Sequence, residues 1–242
     1  MEYLGNHFDI HCGGVDNKFP HHENEIAQSF CSTGEPFVNT WLHAEFLIIN
    51  DTKMSKSLGN YYHLKDLLKK GFTTEEIRYI MFSAHYRSKL NFTLDKKHEA
   101  KMAIQRISEL KDRLSQYGKS EENNLPEEAK DFKMALCDDL DSPKALAIFF
   151  DWLRKTNKKL DSKKLSKLDA NKGNNFISFF DSIYGVLKDS LKIPDEVFSL
   201  IKQREIARKN NDWAKSDNIR LQINKKGWIV KDTSTGPKIT PK

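Results

Sequence analysis

Phe46-Leu47-Ile48-Ile49-Asn50-Asp51-Thr52-Lys53-Met54-Ser55-Lys56-Ser57-Leu58-Gly59-Asn60 is the stretch that decides the fold. Its first four residues are apolar and β-prone, and Leu58-Gly59-Asn60 makes a turn, so the pentapeptide 53–57 lies between them as a mobile loop. Two ammonium groups on such a loop can approach a polyphosphate and leave with it, and the hydroxyls of Ser55 and Ser57 can hydrogen-bond to fix the loop. A bare Lys-x-x-Lys spacing reads more readily as a solvated surface loop. The flanking residues have to decide between the two.

Upstream the texture is α/β. Phe8-Asp9-Ile10-His11 reads as a short strand and Cys12-Gly13-Gly14 as a turn that needs small residues. A helix is expected from near Pro20, which suits a first helical turn, to about Phe30. Leu42 to Ile49 then returns as a strand to the lysine loop. From about residue 63 the pattern is helical. Leu64, Leu67 and Leu68 share a face, and 74–86 carries Ile77, Ile80 and Met81 at helical spacing with Thr73 or Thr74 as cap. A long amphipathic segment follows Thr93, with Met102, Ile104, Ile107, Leu110 and Leu114. After a polar break at 118–124, helices are expected at about 126–137, 142–160 and 174–187. Ile193-Pro194 marks a boundary, two joined helices cover about 194–225, and Gly227-Trp228-Ile229-Val230 opens a strand or hairpin.

The chain has 242 residues, 38% hydrophobic and 31% charged, with net charge +6, which suits a polyanionic partner without requiring one. No apolar run is long enough to span a bilayer, and the first residues lack the basic and apolar regions of a secretory signal. Cys12, Cys31 and Cys137 are scattered and odd in number, which argues against a disulfide framework and for the cytoplasm. Lys155, Lys158, Lys159, Lys163, Lys164 and Lys167 cluster, as either a solvated helix face or a phosphate track.

In Pro20-His21-His22-Glu23-Asn24-Glu25, His21 and Glu25 stand four residues apart and face one way on a helix. Imidazole and carboxylate both suit zinc, yet two ligands do not complete a tetrahedral site, and a surface helical contact explains the pair as well. Gly13-Gly14-x-Asp16 reads as a turn, or as a place where the chain approaches a ligand closely.

The pentapeptide followed by Leu-Gly-Asn resembles the KMSKS signature of class I aminoacyl-tRNA synthetases. The segments Leu4-Gly5-Asn6-His7-Phe8-Asp9-Ile10-His11-Cys12-Gly13-Gly14-Val15-Asp16 and Phe19-Pro20-His21-His22-Glu23-Asn24-Glu25-Ile26-Ala27-Gln28-Ser29 resemble the cysteinyl-tRNA synthetases. Ala84-His85-Tyr86-Arg87-Ser88-Lys89-Leu90-Asn91-Phe92 and Asp138-Asp139-Leu140-Asp141-Ser142-Pro143 are similar to further segments of that family.

The resemblance implies an α/β remnant of a class I Rossmann-type catalytic domain at 1–50 and a KMSKS loop with stem-contact region at 51–92. A mostly α-helical DALR-type, tRNA-binding bundle at 93–188 and a small α+β anticodon-binding module at 194–242 would follow. It implies zinc on His21 and Glu25 with His22 and Glu23 in support, and ATP with magnesium. Lys56 would stabilise the departing pyrophosphate with Lys53 assisting, while Ser55, Ser57, Gly13, Gly14 and Asp16 would hold the adenylate. Cys12 departs from the family's three glycines. The implied partners are L-cysteine, ATP and the tRNA specific for cysteine, bound by a monomer. Arg87, Lys89, Arg204, Arg208, Trp213, Arg220 and Trp228 are the candidate tRNA contacts, with Trp213 read equally as a core residue.

The family's HIGH signature and two upstream zinc cysteines do not occur among these residues. The match is therefore expected to be to the C-terminal half of a synthetase, inactive alone and binding zinc weakly or not at all. A cysteine:amino-sugar ligase and a non-catalytic tRNA-binding fragment are the alternatives.

Overall fold

The computed structural model describes residues 2–117, 124–187, 194–233 and 236–241. The chain divides into two compact units, Met1–Leu187 and Lys188–Lys242.

In the first unit, strands β1 (Phe8–Gly14) and β2 (Val38–Ala44) pair in parallel, with His11 opposite Trp41 and Gly13 opposite His43. A 3-10 turn (Val15–Asn17), a wide turn (Lys18–His22) and helix α1 (Glu23–Thr33) cross between them, as a parallel pair requires. The expected turn at Cys12-Gly13-Gly14 is therefore strand: pairing with a segment thirty residues on overrides the local preference of glycine. Helix α1 begins at Glu23 rather than near Pro20, because Phe19 is extended (φ −139°, ψ 133°) and breaks the wide turn. Gly34, at φ 74°, ends it.

The single strand expected from Leu42 to Ile49 is two strands in different sheets. Chain pairing stops at Ala44, and β3 (Leu47–Ile49) lies between β4 (Thr52–Lys53, antiparallel) and β5 (Leu90–Phe92, parallel). Asn50 and Asp51 both take positive φ (47° and 60°), the two-residue hairpin turn that suits these side chains. Helices α2 (Leu64–Lys69) and α3 (Thr74–Phe82) follow, the latter closed at its start by a Thr73/Glu76 capping box. Helix α3 stops at Phe82, short of the expected Tyr86, where Ser83 Oγ donates back to the Ile80 carbonyl. Ile49, Leu67, Phe72, Ile77, Ile80 and Phe92 bury together.

Helices α4 (Lys96–Ser115), α5 (Glu128–Cys137), α6 (Ser142–Asp161) and α7 (Lys167–Tyr184) form the bundle. Asp141 caps α6, accepting from the Lys144 N–H, and Pro143 sits in its first turn. Helix α7 starts at Lys167 rather than 174, because Ser166 caps it and its first turns are polar outside. Gly173 within it lets α4 and α6 close in: a Cβ there would stand 2.8 Å from Leu114 Cδ1 and 3.3 Å from Trp152. The core is aromatic, with Phe132, Phe149, Phe176, Phe180 and Tyr184 fully buried.

The second unit holds helices α8 (Asp195–Lys209) and α9 (Trp213–Lys225) and a hairpin of β6 (Trp228–Thr233) and β7 (Gly236–Pro241) around Val197, Ile201, Ile219, Ile223, Trp228 and Val230. Most of the polar break expected at 118–124, and Ile193 of the expected boundary, lie outside the described residues. Among the described residues no helix is long and apolar enough to cross a membrane, and all three cysteines are free.

Candidate active site

The parallel pair and the start of α1 gather one cluster of imidazoles and a carboxylate. His11 projects from β1, His43 and Trp41 from β2, while His21, His22 and Glu25 come from the crossover. Glu25 stands between two histidines: its Oε2 is 3.2 Å from His11 Nε2, and its Oε1 is 3.5 Å from His21 Nε2. That Oε2 atom is buried and accepts no hydrogen bond. Donor atoms of His11, His22 and Glu25 all lie within 4.8 Å of one another.

His22 is 4% exposed, with Nδ1 2.8 Å from His43 Nε2. Burial, helped by His11, His43 and His21 against the pull of Glu25, pushes its pKa below the ordinary histidine value. Trp41 walls the cluster, its ring 4.8 Å from those of His11 and His22. Successive helical residues point about 100° apart, so only one of His21 and His22 can face the strands. His22 turns in, and the His21 side chain stays 65% exposed.

These donors fit zinc. Bonds of about 2.0–2.1 Å in a tetrahedron put neighbouring donors roughly 3.4 Å apart, near both Glu25 separations, and a buried carboxylate oxygen that accepts no hydrogen bond is what a cation would satisfy. The expected pair His21 and Glu25 is thus brought together, and His11 and His22 join it.

Gly13 and Gly14 serve this cluster by what they omit. A Cβ on Gly13 would stand 2.5 Å from His22 Cε1, and one on Gly14 would stand 2.4 Å from Asp16 Oδ1. Gly13→Ala is therefore expected to displace the His22 ring and cost about 1–3 kcal/mol by overpacking. Thermal unfolding checks the cost, and the His22 and His43 imidazole resonances check the displacement.

The lysine loop is closed by a residue beyond the pentapeptide. Asn60 Oδ1 accepts from the Ser55 N–H (2.8 Å) and its Nδ2 donates to the Lys53 carbonyl (3.1 Å). The hydroxyls of Ser55 and Ser57 are 2.7 Å apart. Lys53 Nζ rests 5.5 Å from the Phe46 ring centre and Lys56 Nζ 5.5 Å from that of Tyr61. Both lysines are exposed.

The candidate RNA contacts divide. Lys89 and Arg220 are exposed, Trp213 is 56% exposed, and Arg208 lies 5.5 Å over its ring. Arg87 faces Asp139, its Nε 3.0 Å from Oδ2. Two expectations are corrected. Arg204 is 2% exposed and Trp228 is 9% exposed, so both are core residues of the C-terminal unit and not stacking or phosphate contacts. Residue patterning also passed over His11, His43, Trp41, Asn60 and Asp139. The alternation of β1 puts His11 on the face of the odd-numbered positions, but nothing local says what that face meets.

Residues 1–102 match the family model for the tRNA synthetases class I (C) catalytic domain, 131–188 the DALR domain, and 192–237 the cysteinyl-tRNA ligase anticodon binding domain. The chain is 41% identical over 248 residues to the cysteine–tRNA ligase of Chlamydia felis, covering 99% of this chain and 52% of that protein. It is 41% identical over 250 residues to that of Brachyspira hyodysenteriae, covering 98% and 53%. It spans about half the length of the curated relatives it matches. A crystal structure of the agnB2 LeuRS of Agrobacterium radiobacter K84, in a ternary complex with tRNA and LeuAMS, is similar with TM-score 0.56. At 16% identity over 72% of this chain and 25% of that one, this likeness shows a class I synthetase fold alone. From end to end the chain is similar to about half of a cysteine–tRNA ligase, and the matched models follow in the order catalytic domain, DALR domain, anticodon binding domain.

Proposed function

We propose that the chain supplies the pyrophosphate-binding loop, part of a zinc site and the RNA-binding domains of an enzyme that activates cysteine with ATP and transfers it to its tRNA. The observation that carries this is Glu25, a carboxylate with a buried oxygen that accepts no hydrogen bond and imidazole nitrogens at 3.2 and 3.5 Å, on the same chain as the lysine loop.

In the first step the cysteine carboxylate attacks the α-phosphorus of magnesium-bound ATP. The bond to the bridging oxygen breaks, and pyrophosphate leaves with the negative charge. Lys56, with Lys53 beside it, meets that charge as it develops, so the loop favours the transition state over bound ATP. Ser55 and Ser57 hold the loop in shape, while Gly13, Gly14 and Asp16 would receive the adenylate's ribose and amine. The terminal ribose hydroxyl of tRNA then attacks the cysteinyl carbonyl and AMP leaves. Glu25 and His21 would hold zinc, with His11 beside Glu25, and that ion would supply a preference for thiolate over hydroxyl that separates cysteine from serine. His22, tied to His43, keeps the cluster oriented. The anticodon-binding match at 192–237 favours tRNA over an amino sugar as acceptor.

Fused behind the N-terminal half of the Chlamydia felis ligase, the chain is expected to support cysteine-dependent ATP–pyrophosphate exchange, and alone to give none. Absence of exchange in a folded, zinc-loaded fusion would overturn the activity. The donors gathered here raise the expectation for zinc above that of two ligands, so the chain alone should take it up measurably. Glu25→Gln should weaken that uptake on the order of a hundredfold and His43→Ala by about tenfold, read by competition with a chromophoric chelator. Unaltered affinity in Glu25→Gln would remove the metal assignment.

A further inference from the structure

The short connection between α5 and α6 carries two successive left-handed residues that are not glycine, Asp139 (φ 52°) and Leu140 (φ 58°). Such backbone persists only where its surroundings hold it. Here the holder is the corner 85–87, between α3 and β5, and every one of its side chains points at Asp139.

The Tyr86 hydroxyl donates to Asp139 Oδ1 at 2.6 Å, and Arg87 Nη2 donates to the same oxygen at 3.2 Å. Arg87 Nε lies 3.0 Å from Oδ2 and donates to the Tyr86 hydroxyl at 2.9 Å. The Arg87 N–H donates to His85 Nδ1 at 3.2 Å, which places the ring proton on Nε2. Nε2 then donates to the Asp139 carbonyl at 2.9 Å. The rings of His85 and Tyr86 stack at 4.8 Å.

The same corner grips the sheets from its backbone side. The Glu45 N–H donates to the Tyr86 carbonyl at 2.7 Å, and the Leu90 N–H donates to the Phe46 carbonyl at 3.2 Å. Glu45 and Phe46 are the crossing between β2, which carries His43, and β3, which leads into the lysine loop.

Docking of the bundle does not depend on this corner. Ser142 Oγ donates to the Phe82 carbonyl at 2.8 Å and meets the Tyr184 hydroxyl at 3.0 Å, and Arg78 Nε donates to the Tyr184 carbonyl. Tyr79 and Phe82 pack on the bundle core. The Arg87 and Asp139 side chains are 65% and 41% exposed, too open for their ion pair to anchor the fold. A five-bond constellation of that exposure sets direction, not stability.

We propose that Asp139 is a positioning residue, a latch by which the helical bundle fixes the corner 85–87 and, through Tyr86 and Glu45, the crossing between the His43 strand and the lysine-loop sheet. Its part in RNA-dependent chemistry rests on the function proposed above. On that basis Arg87 is spent within the protein, and RNA seated on the bundle is felt at Glu45.

Amide hydrogen exchange on the 242-residue chain tests the latch. Asp139→Ala should speed exchange at Glu45 and Leu90 about tenfold or more while leaving the Leu110 and Phe180 amides unchanged. Asp139→Asn, whose amide oxygen still accepts from Tyr86 and Arg87, should stay within about threefold of the parent, and Asp138→Ala should match it. With a transcript of cysteine tRNA, exchange at Glu45 should slow in the parent, whereas Asp139→Ala should bind with affinity within about threefold and show no slowing. Unchanged exchange at Glu45 in Asp139→Ala, or an equal rise through the bundle core, would overturn the latch. Failure of the parent chain to bind the transcript would overturn the RNA reading, and the exchange comparison without RNA would still decide the latch.

Discussion

Phe180→Ala should destabilise the helical bundle by about 3–5 kcal/mol, the range for removing a fully buried phenylalanine. The Phe180 ring is stacked between Phe149 (centroids 3.9 Å apart, 16° between planes) and Tyr184 (4.5 Å, 16°). No neighbour can collapse into the gap without breaking a second aromatic contact. For a unit of this size about 1 kcal/mol moves the unfolding midpoint by roughly 2–4 °C, so a drop of about 6–20 °C is expected by circular dichroism. Phe198→Ala, at a residue 48% exposed, should stay within roughly 0.5 kcal/mol. Equal midpoints for the two variants would mean that the stack contributes nothing particular.

Lys56→Ala, in the fusion that carries the other half of the fold, should slow cysteine-dependent pyrophosphate exchange on the order of 10²–10³-fold, as losing one group aimed at a developing anion does. Affinity for cysteine should change by less than about threefold, because the ammonium meets charge that exists fully only in the transition state. Lys53→Ala should cost less, and Lys56→Arg should recover part of the rate. In the structure Lys56 rests above the Tyr61 ring, a contact of about 0.5–1 kcal/mol at an exposed site, which phosphate oxygens readily outbid. A rate for Lys56→Ala within about twofold of the parent would remove Lys56 from the mechanism.

Signals written within one turn of chain were legible. Asp141-Ser142-Pro143 announces α6, and Thr73 with Glu76 announces α3. The lysine loop was legible as a pattern and the closing role of Asn60 was not, because a side-chain amide bridging two backbone sites leaves no periodic trace. The strand character of Gly13 and Gly14 depends on β2, and no local rule sees a parallel partner across a helix. His21 and Glu25 could be paired from helical spacing, whereas His11 reaches Glu25 only once the crossover has folded. Arg204 could have been placed correctly. It follows Val197 and Ile201 at helical spacing on the buried stripe of α8, and Trp228 shares a strand face with Val230. Their charge and aromaticity suggested RNA, but their positions in the repeat said core.

The amide of Asn60 changes how the lysine loop can move. Its two hydrogen bonds join the backbone at Lys53 and Ser55, so residues 53–60 form a closed ring of chain. Ordering eight free residues costs about 1–2 kcal/mol of conformational entropy apiece, enough to cancel any plausible gain from two ammonium groups. A ring already knotted at its neck has given up much of that freedom during folding. It can swing as a stiff flap on its two stems, and each turnover then asks for a hinge movement in place of a disorder-to-order transition.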